Sequence, residues 1–373
     1  MNESRKVRKI DSMAYKNLDY LKTKELVTEI FVKYGFSKEE SDVITEILLA
    51  ADLSGIESHG VQRLIRYHNA IETGATLVHA EPEIVFETPV SAVIDAKGAM
   101  GQVVSFKAMN MAMEKAKASG IGMVTVRNSN HYGIAGYYTK MAVEQDLMGI
   151  CMTNTEAIMV PTFGKKAMLG TNPIAVSMPA DPTPFLFDAA TTVVTRGKIE
   201  VYTKKEEPLP LGWTLDENGQ DCSEPGRVIN NIIGKLGGGI LPLGGSGEES
   251  SGYKGYGFAM LCEIFSAIFA GGMTSVHKRD VNDTCHFFGA IDYGIFGDKT
   301  EIRKNMSTLL QELRDTPKAD GADRVYIHGE KELESISEKM ESGIPVNEKT
   351  FSELQMISAA LGIDSVPYIG ENF

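Results

Sequence analysis

The sequence predicts a two-part α/β fold (mixed α+β), and three observations lead to it. The chain has 373 residues, and a domain usually contains about 100–200 residues, so two domains are expected. Strand-like and helix-like segments alternate over residues 85–300, as in a mixed α/β core. Both chain ends show helical spacing instead. We therefore predict a helical domain over 1–85, with 305–373 packing back on it, and a central mixed-sheet α/β domain over 86–304.

The N-terminal part is expected to be helical because its apolar residues recur every three or four positions over residues 22–50. Ser37 and Glu40 have the spacing of a capping box, which would start the second helix there. A further helix is expected from Val61 to Ile71, and Gly74 suits its end.

The central part of the chain has a different residue pattern. Its first segment, EIVFETPVSAVIDAKG, alternates and is rich in Val and Ile, which predicts strands. The segments that follow predict a helix over 102–119, a buried strand over 120–127, a helix over 131–145 and a strand starting at 148. A glycine-rich loop over 234–257 leads into a helix over 255–270, and the segment 351–361 predicts a last amphipathic helix.

Composition and charge exclude several classes of protein. The net charge of −13 argues against a nucleic-acid partner, since phosphate binding needs a basic face. The longest apolar run, Phe258–Ala270, is interrupted by Glu263 and is shorter than the roughly 20 residues of a membrane span. Four widely separated cysteines indicate reduced thiols. We expect a cytoplasmic protein without a membrane or nucleic-acid partner.

Common catalytic and nucleotide-binding motifs are missing. The chain contains no GxGxxG, so a Rossmann phosphate turn is not predicted, and it contains no GxxxxGK[ST]. HExxH and GxSxG are also absent. Its seven histidines show no spacing typical of metal ligands, and we expect no metal.

The segment ESHGVQRLIRYH is the first candidate site. His59, Arg63 and Tyr67 are spaced four apart, which would place them on one helix face. Arg63 could bind a carboxylate through two parallel hydrogen bonds, and His59 could donate a proton at neutral pH. A surface helix with an incidental histidine explains the same spacing.

The segment RNSNHYGIAGYY is the second candidate site. His131 follows a predicted strand and stands where a helix is expected to begin, a favoured place for a catalytic side chain. The helix N-terminus would lower the pKa of a histidine held there. The alternative is that His131 only caps the helix or bonds a loop carbonyl.

Two weaker candidates follow. Small hydroxyl residues come after strand-like runs in GTNPIAVSMPA (170–180) and FDAATTVVTRGKI (187–199). They could bind a ribose or an amide. Ordinary turns favour the same residues, so a structural role is the alternative. Lys254 could meet a phosphate at a helix start, or it could be a solvated lysine. Trp213 is more typical of a packing corner.

Seven segments in this order resemble the malate/L-lactate dehydrogenase type 2 family, also called sulfolactate dehydrogenase-like, which includes ureidoglycolate dehydrogenase and 2,3-diketogulonate reductase. The resemblance covers residues 22–365. The segments are ESHGVQRLIRY, NSNHYGIAGYY, GTNPIAVSMPA, DAATTVVTRGKIEVY, PLGWTLDENG, ILPLGG with KGYGFAM, and HFFGAID.

The resemblance implies a non-Rossmann NAD(P)-binding fold, which accounts for the missing fingerprint. It implies a homodimer with the cofactor near the interface, NAD as cofactor with NADP possible, and a small-molecule carboxylate substrate whose reacting carbon lies beside the carboxylate. It also implies site residues in three roles. These are His131 and His59 as acid/base candidates; Arg63, Tyr67 and Ser58 for the substrate; and Thr155, Asp188, Ala189, Ala190, Thr191, Thr192, Tyr253, Lys254, Gly329 and Glu330 for the cofactor.

These implications predict an NAD(P)-dependent dehydrogenase that transfers a hydride between nicotinamide and C2 of a small 2-hydroxy or 2-oxo acid. Malate, lactate, sulfolactate and ureidoglycolate are the substrate types of the family. Three alternatives stay open: a reductase of cyclic 2-imino acids, a non-catalytic cofactor-binding protein and, against the histidine spacing, a metal-assisted hydrolase or lyase.

Overall fold

A computed structural model describes residues 15–363 and 368–370. These residues form two compact units. The first contains the chain up to Ala70 and from Glu332 onward, and the second contains Ile71–Lys331. The chain passes between the two units at residues 70/71 and 331/332. The domain boundaries predicted from the sequence, after residue 85 and before residue 305, stay a prediction.

The bounds of the elements are as follows. The helices are α1 (Tyr20–Tyr34), α2 (Lys38–Leu53), α3 (Leu64–Glu72), α4 (Gly101–Ser119), α5 (Ala135–Glu144), α6 (Arg196–Lys205), α7 (Pro225–Gly234), α8 (Gly252–Glu263), α9 (Lys299–Arg314), α10 (Glu330–Ser342) and α11 (Glu348–Ala360). The strands are β1 (Tyr15–Leu18), β2 (Glu83–Glu87), β3 (Ser91–Asp95), β4 (Ile121–Ser129), β5 (Met148–Thr153), β6 (Ile174–Met178), β7 (Phe185–Ala189), β8 (Thr214–Leu215), β9 (Gly239–Ile240), β10 (Thr284–Ile291), β11 (Ile344–Asn347) and β12 (Tyr368–Gly370).

The first unit combines helices with a small sheet. Helix α2 starts at the predicted capping box: Ser37 Oγ accepts the N–H of Glu40 at 3.1 Å, and Glu40 Oε2 accepts the N–H of Ser37 at 3.2 Å. Strand β1 pairs with β11 on one side and β12 on the other, so both chain ends meet in one antiparallel sheet. The sequence predicted only helices here, because strands of three and four residues leave no clear alternation.

The second unit is built on a seven-stranded sheet in the order β2-β3-β4-β10-β5-β6-β7. Only β3 and β4 pair in parallel, so the predicted mixed sheet is confirmed. Helices α4 and α5 pack on one face. On the other face, Cys262 of α8 packs with Met152 and Phe287, and Phe265 of the π-helical turn Ile264–Ile268 packs against them.

One edge of this sheet collects the loops that matter for function. The end of β4 lies beside the start of β10 through Ser129 and Thr284. The end of β5 also lies beside the start of β10, and the ends of β5 and β7 flank the start of β6. The segments that follow β4, β5 and β7 therefore leave the sheet at the same edge.

Within the described ranges 15–363 and 368–370, no helix is long and apolar enough to cross a membrane. The apolar run Phe258–Ala270 forms the second half of α8, the π-helical turn and the residues directly after it.

Candidate active site

The residues singled out in the sequence lie in both compact units. The first unit holds Ser58, His59, Arg63 and Tyr67; the second holds His131, Thr155, Asp188–Thr192, Tyr253, Lys254, Gly329 and Glu330.

The segment around His59 is not the continuous helix that the sequence predicted. It forms two 3₁₀ turns, Glu57–His59 and Val61–Arg63, before α3 begins at Leu64. Gly60, between the turns, has an extended backbone with φ −85° and ψ −150°. The predicted single helical face with the histidine, the arginine and the tyrosine is therefore wrong.

A buried carboxylate causes the break. Asp52 Oδ2 accepts the N–H of Val61 at 2.8 Å, in place of the bond to the carbonyl of Glu57 that would continue a helix. The carboxylate also lies against Gly60, where a Cβ atom would be 1.8 Å from Asp52 Oδ1. Only glycine fits this position, and Asp52 holds the turn that carries His59.

Burial raises the pKa of Asp52 to about 7, although the N–H of Val61 and the charge of Lys339 lower it in part. The side chain is 2% exposed. The ammonium of Lys339 donates to the main-chain oxygen of Asp52 at 2.7 Å. Near neutral pH this carboxyl therefore exists in both protonation states.

We expect Asp52→Asn to change how stability depends on pH. The folded pKa of about 7 exceeds the unfolded value of about 3.9, so folding takes up a proton between them. The stability that Asp52 contributes is fully present below pH ~4 and is lost as the pH rises through ~7, at roughly 1.4 kcal/mol per pH unit in between. Asparagine does not titrate, so the variant should gain stability relative to the parent as the pH rises.

Urea unfolding midpoints of both proteins between pH 4 and 7 measure this difference. The comparison is needed because His59 acts in the opposite sense: its lowered pKa gives stability above pH 6.5 that is lost as the pH falls through about 4. His59 is present in both proteins, and its effect cancels. Parallel midpoint curves would contradict the assignment to Asp52.

The ring of His59 is neutral at pH 7. Burial, together with the positive charges of Arg63 and Arg66, lowers its pKa to about 4. Ser58 Oγ lies 2.9 Å from His59 Nδ1. This environment disfavours an imidazolium, so the expectation that His59 donates a proton at neutral pH gains no support here, although a catalytic role for it stays a prediction.

Arg63 is oriented by its own turn. Its Nε donates to the main-chain oxygen of Ser58 at 2.5 Å, which orients the plane of the guanidinium group. A guanidinium binds a carboxylate best when its plane is held in this way, because two parallel hydrogen bonds then form together. Tyr67, by contrast, is only 2% exposed, and its contact with a substrate stays a prediction.

His131 lies in the loop between β4 and α5 and is half-buried. The helix predicted from residue 131 begins only at Ala135, because Gly133 has φ +89°, a left-handed conformation that a helix cannot continue. The expectation that this helix N-terminus acts on His131 is therefore wrong. The start of α4 lies beside His131 instead, since a Cβ on Gly101 would be 2.4 Å from the carbonyl oxygen of His131.

Two of the cofactor candidates, Thr155 and Thr191, are joined through Thr171 and Asn172. Thr155 Oγ1 accepts the N–H of Thr171 at 2.9 Å, and the N–H of Thr155 donates to Asn172 Oδ1 at 3.0 Å. Thr191 donates its N–H and its hydroxyl to the carbonyl of Thr171 at 2.9 and 3.0 Å. The ends of β5 and β7 therefore carry hydroxyl groups close together.

The run Asp188–Thr192 leaves β7 beside α5. The exposed Asp188 accepts the N–H of Gly136, in the first turn of α5, at 2.7 Å. Ala189 and Ala190 have small side chains, and the hydroxyl of Thr192 is buried without a hydrogen-bond partner in the described part of the chain. A buried hydroxyl of this kind needs a partner. Small side chains with an unpaired hydroxyl suit the close approach of a ligand that carries a ribose or an amide, and the cofactor contact of this run stays a prediction.

Tyr253 and Lys254 occupy the first turn of α8, and both side chains are exposed. The Lys254 ammonium lies 5.8 Å from the centre of the Tyr253 ring. A lysine at a helix N-terminus suits a phosphate, so the assignment from the sequence remains a proposal with suitable geometry.

Glu330 has internal partners. Its carboxylate accepts from Arg314 Nε at 2.6 Å and from the N–H of Ile327 at 3.0 Å. Burial opposes ionisation, but these two partners hold its pKa below the usual value. Gly329 follows His328, whose carbonyl accepts the N–H of Leu186 at 3.1 Å, so the segment runs along the edge strand β7. A structural role explains Glu330 without a cofactor contact.

Sequence reasoning missed the role of one buried acid, Glu263, beneath these loops. Glu263 is 3% exposed; its carboxylate accepts from the side-chain amides of Asn172 at 3.0 Å and Asn154 at 3.2 Å, and from the hydroxyl of Ser275. It thereby orients Asn172 beneath Thr155. The signal was present, since a single acid in the apolar run 258–270 is unusual unless it has buried partners. Within the described residues, no group of three or more His, Cys, Asp or Glu side chains is arranged to hold a metal ion.

Known proteins are similar to this chain in sequence and in fold. Residues 18–355 match the sequence profile of the family described as malate/L-lactate dehydrogenase. The chain is 42% identical to the malate dehydrogenase of Pyrococcus abyssi (strain GE5 / Orsay), over 90% of this chain and 92% of that protein. It is 35% identical to the L-sulfolactate dehydrogenase of Methanocaldococcus jannaschii, over 93% and 97%. The crystal structure of malate dehydrogenase from Entamoeba histolytica superposes with a TM-score of 0.90 at 34% identity, covering 94% of this chain and 99% of that one.

Proposed function

The chain belongs to the malate/L-lactate dehydrogenase family, and from this premise we propose that it is an NAD(P)-dependent dehydrogenase of small 2-hydroxy acids. The observation that carries the proposal is the match to a malate and a sulfolactate dehydrogenase over at least 90% of the chain. The family predicted from seven sequence segments is thereby confirmed.

The proposed substrate is a 2-hydroxy acid with a second anionic group. Malate and sulfolactate share a carboxylate beside a CH–OH carbon, C2. Each carries a further acidic group on the next carbon, C3. In a chain with a net charge of −13, such a substrate needs local positive groups that act against the overall field. Arg63, with its guanidinium oriented by Ser58, is the group that we assign to the 2-carboxylate.

The nicotinamide cofactor, when bound, exchanges the hydride with C2. The protein has to bind and orient the acid and move one proton to or from the oxygen at C2. We assign the proton to the imidazole of His131, since His59 is held neutral at pH 7. We assign the cofactor to Thr155, the run Asp188–Thr192 and the first turn of α8, because these segments offer hydroxyl, backbone and ammonium groups.

We propose NAD as the cofactor, with NADP as the alternative, and a cytoplasmic homodimer with the cofactor near the interface, as the family resemblance implies. The four cysteines Cys151, Cys222, Cys262 and Cys285 are all buried free thiols, which is consistent with a reducing compartment. A reductase of cyclic 2-imino acids and a non-catalytic cofactor-binding protein are the alternative functions.

A nicotinamide absorbance assay tests the proposal. NADH and NADPH would each be tested with oxaloacetate, sulfopyruvate, pyruvate, 2,3-diketogulonate and a cyclic 2-imino acid, and malate, sulfolactate, lactate and ureidoglycolate would be tested in reverse. We expect oxaloacetate or sulfopyruvate to have the highest kcat/KM. Turnover of the imino acid alone would replace the proposal by the reductase, and cofactor binding without turnover on any acid would replace it by the binding protein.

A further inference from the structure

His286 is a fully buried histidine with hydrogen bonds at both ring nitrogens. It lies on β10, between β4 and β5, and is 0% exposed. Its Nδ1 is 2.8 Å from the hydroxyl of Thr153, and its Nε2 is 3.0 Å from the hydroxyl of Ser129 and 3.2 Å from the carbonyl oxygen of Asn130. One ring therefore ties the end of β5 to the end of β4.

The same ring also supports the residue that follows His131. The imidazole of His286 stacks on Tyr132 with centroids 4.4 Å apart and an angle of 9°. Tyr132 in turn stacks on Tyr138 at 5.0 Å and 18°, and the hydroxyl of Tyr138 donates to the carbonyl of Tyr132 at 2.5 Å. Both chain neighbours of His131 are thus held by His286: Asn130 through its carbonyl and Tyr132 through its ring.

The opposite side of this loop is held by helix α4. Asn130 donates its side-chain amide to the carbonyl of Ala99 at 2.7 Å, and its side-chain oxygen accepts the N–H of Gly101 at 2.9 Å. His286 acts from the sheet and α4 from the side, so residues 130–132 have little freedom to rotate. The backbone that carries the imidazole of His131 is thereby held in place.

A packing role alone does not explain a histidine here. Phenylalanine would fill a similar volume and stack on Tyr132, without the cost of burying polar nitrogens. His286 does not act as an acid or base itself, since burial, with help from the charge of Lys278, lowers its pKa to about 3. What histidine adds at this position is the pair of hydrogen bonds to the ends of two strands.

We propose that His286 is a positioning residue, whose Nε2 hydrogen bond to the carbonyl of Asn130 aims the side chain of His131 at the reacting oxygen. The proposal rests on the proposed function, in which His131 moves the proton. It adds a residue from the HFFGAID segment, for which the sequence suggested no role.

Three substitutions separate hydrogen bonding from packing. His286→Phe keeps the stacking and the volume but loses both hydrogen bonds. His286→Gln places its amide nitrogen near the position of Nε2 and restores a donor to Asn130. His286→Asn places its amide nitrogen near the position of Nδ1 and restores only the bond to Thr153. Thr153→Val is the matched control, because it removes the partner of the other nitrogen in the same buried region.

We expect His286→Phe and His286→Asn to lower kcat by about 10- to 100-fold, since a misplacement of about 1 Å can cost on the order of 10²-fold. In His286→Gln and Thr153→Val, kcat should stay within about fivefold of the parent value, because both variants keep a hydrogen-bond donor to the carbonyl of Asn130. The KM for the cofactor should not change in any variant. A folded His286→Phe variant with parental kcat would overturn the proposal, and so would a His286→Gln variant as slow as His286→Asn.

A second measurement does not need turnover. NMR of ¹³C-labelled histidine follows the titration and the linewidth of the His131 signal, assigned by its loss in His131→Ala. In His286→Phe this signal should shift its titration midpoint and broaden, whereas in Thr153→Val it should stay unchanged. An unchanged signal in His286→Phe would overturn the positioning role. If the parent protein shows no activity on any acid but the signal changes as expected, the proposed function fails and the positioning of His131 stands.

Discussion

Replacing His131 by alanine is expected to lower kcat by about 10²–10⁴-fold, the usual contribution of a general acid or base. His131 lies in a loop and is half-buried, and its neighbours Asn130 and Tyr132 anchor this loop through a buried hydrogen bond and ring stacking. The substitution should therefore leave the fold and the binding of the cofactor unchanged. Steady-state kinetics in both directions and a fluorescence titration with NADH measure the two effects.

His277→Ala is the matched control for this experiment. His277 is an exposed histidine in a turn of the same unit, bonded to the hydroxyl of Thr274 at 2.8 Å, and its loss should not change kcat. If His131→Ala kept the kcat of the parent protein, the assignment of the proton to His131 would be wrong.

The pH profile of reduction distinguishes His131 from His59. A donor has to be protonated before it reacts, and the pKa of His59 is about 4. At pH 7 only about one in a thousand His59 rings would be protonated, so activity that depended on this donor would rise about tenfold for each unit of pH decrease towards 4. A profile that is flat near neutrality would exclude His59 as the donor of an imidazolium proton.

Replacing Arg63 by lysine is expected to raise the KM for the acid substrate by about 10- to 100-fold with a much smaller effect on kcat. Hydrogen bonds to charged groups contribute about 1.5–3 kcal/mol, and lysine loses the planar pair of donors that binds both oxygens of a carboxylate. Lysine also cannot keep the bond from Nε to Ser58 that orients the group. The KM values for oxaloacetate and for NADH would be measured separately.

Arg66→Lys provides the control, because Arg66 is an exposed arginine on α3, three residues further along the chain. It keeps the charge that acts on His59 and should leave the KM for both substrates unchanged. Both substitutions keep the positive charge, so equal increases in KM for the acid from Arg63→Lys and Arg66→Lys would contradict the assignment of the 2-carboxylate to the guanidinium of Arg63.

The sequence predicted strands of the central sheet and several helices correctly, where local signals agree with the tertiary structure. The helix predicted over residues 102–119 is α4, and the Val- and Ile-rich alternation before it forms β2 and β3. The Ser37–Glu40 capping box starts α2 as expected. Such signals depend on residues close in the chain, which is why they can be recognised without knowledge of the fold.

Both wrong helix predictions concern the candidate active site, but their causes differ. The helix predicted through His59 is interrupted because the carboxylate of Asp52 accepts the N–H of Val61. The helix after His131 starts late because the loop adopts the left-handed backbone at Gly133. Helical spacing predicts which residues can share a face, but a buried side chain from another segment can take a helical hydrogen bond.

The sequence by itself determined the family, the candidate residues and the alternation of strands and helices, because these depend on residue identity, order and local spacing. Only the tertiary structure decided how the candidates are held: the buried Asp52 beneath the His59 turn, the His286 ring between Ser129 and Thr153, and the contact of Asp188 with the start of α5. The residues that form these contacts are as many as 157 positions apart in the chain. No local pattern can reveal such contacts, since the fold brings the two partners together and buries their polar groups, which then require each other as hydrogen-bond partners.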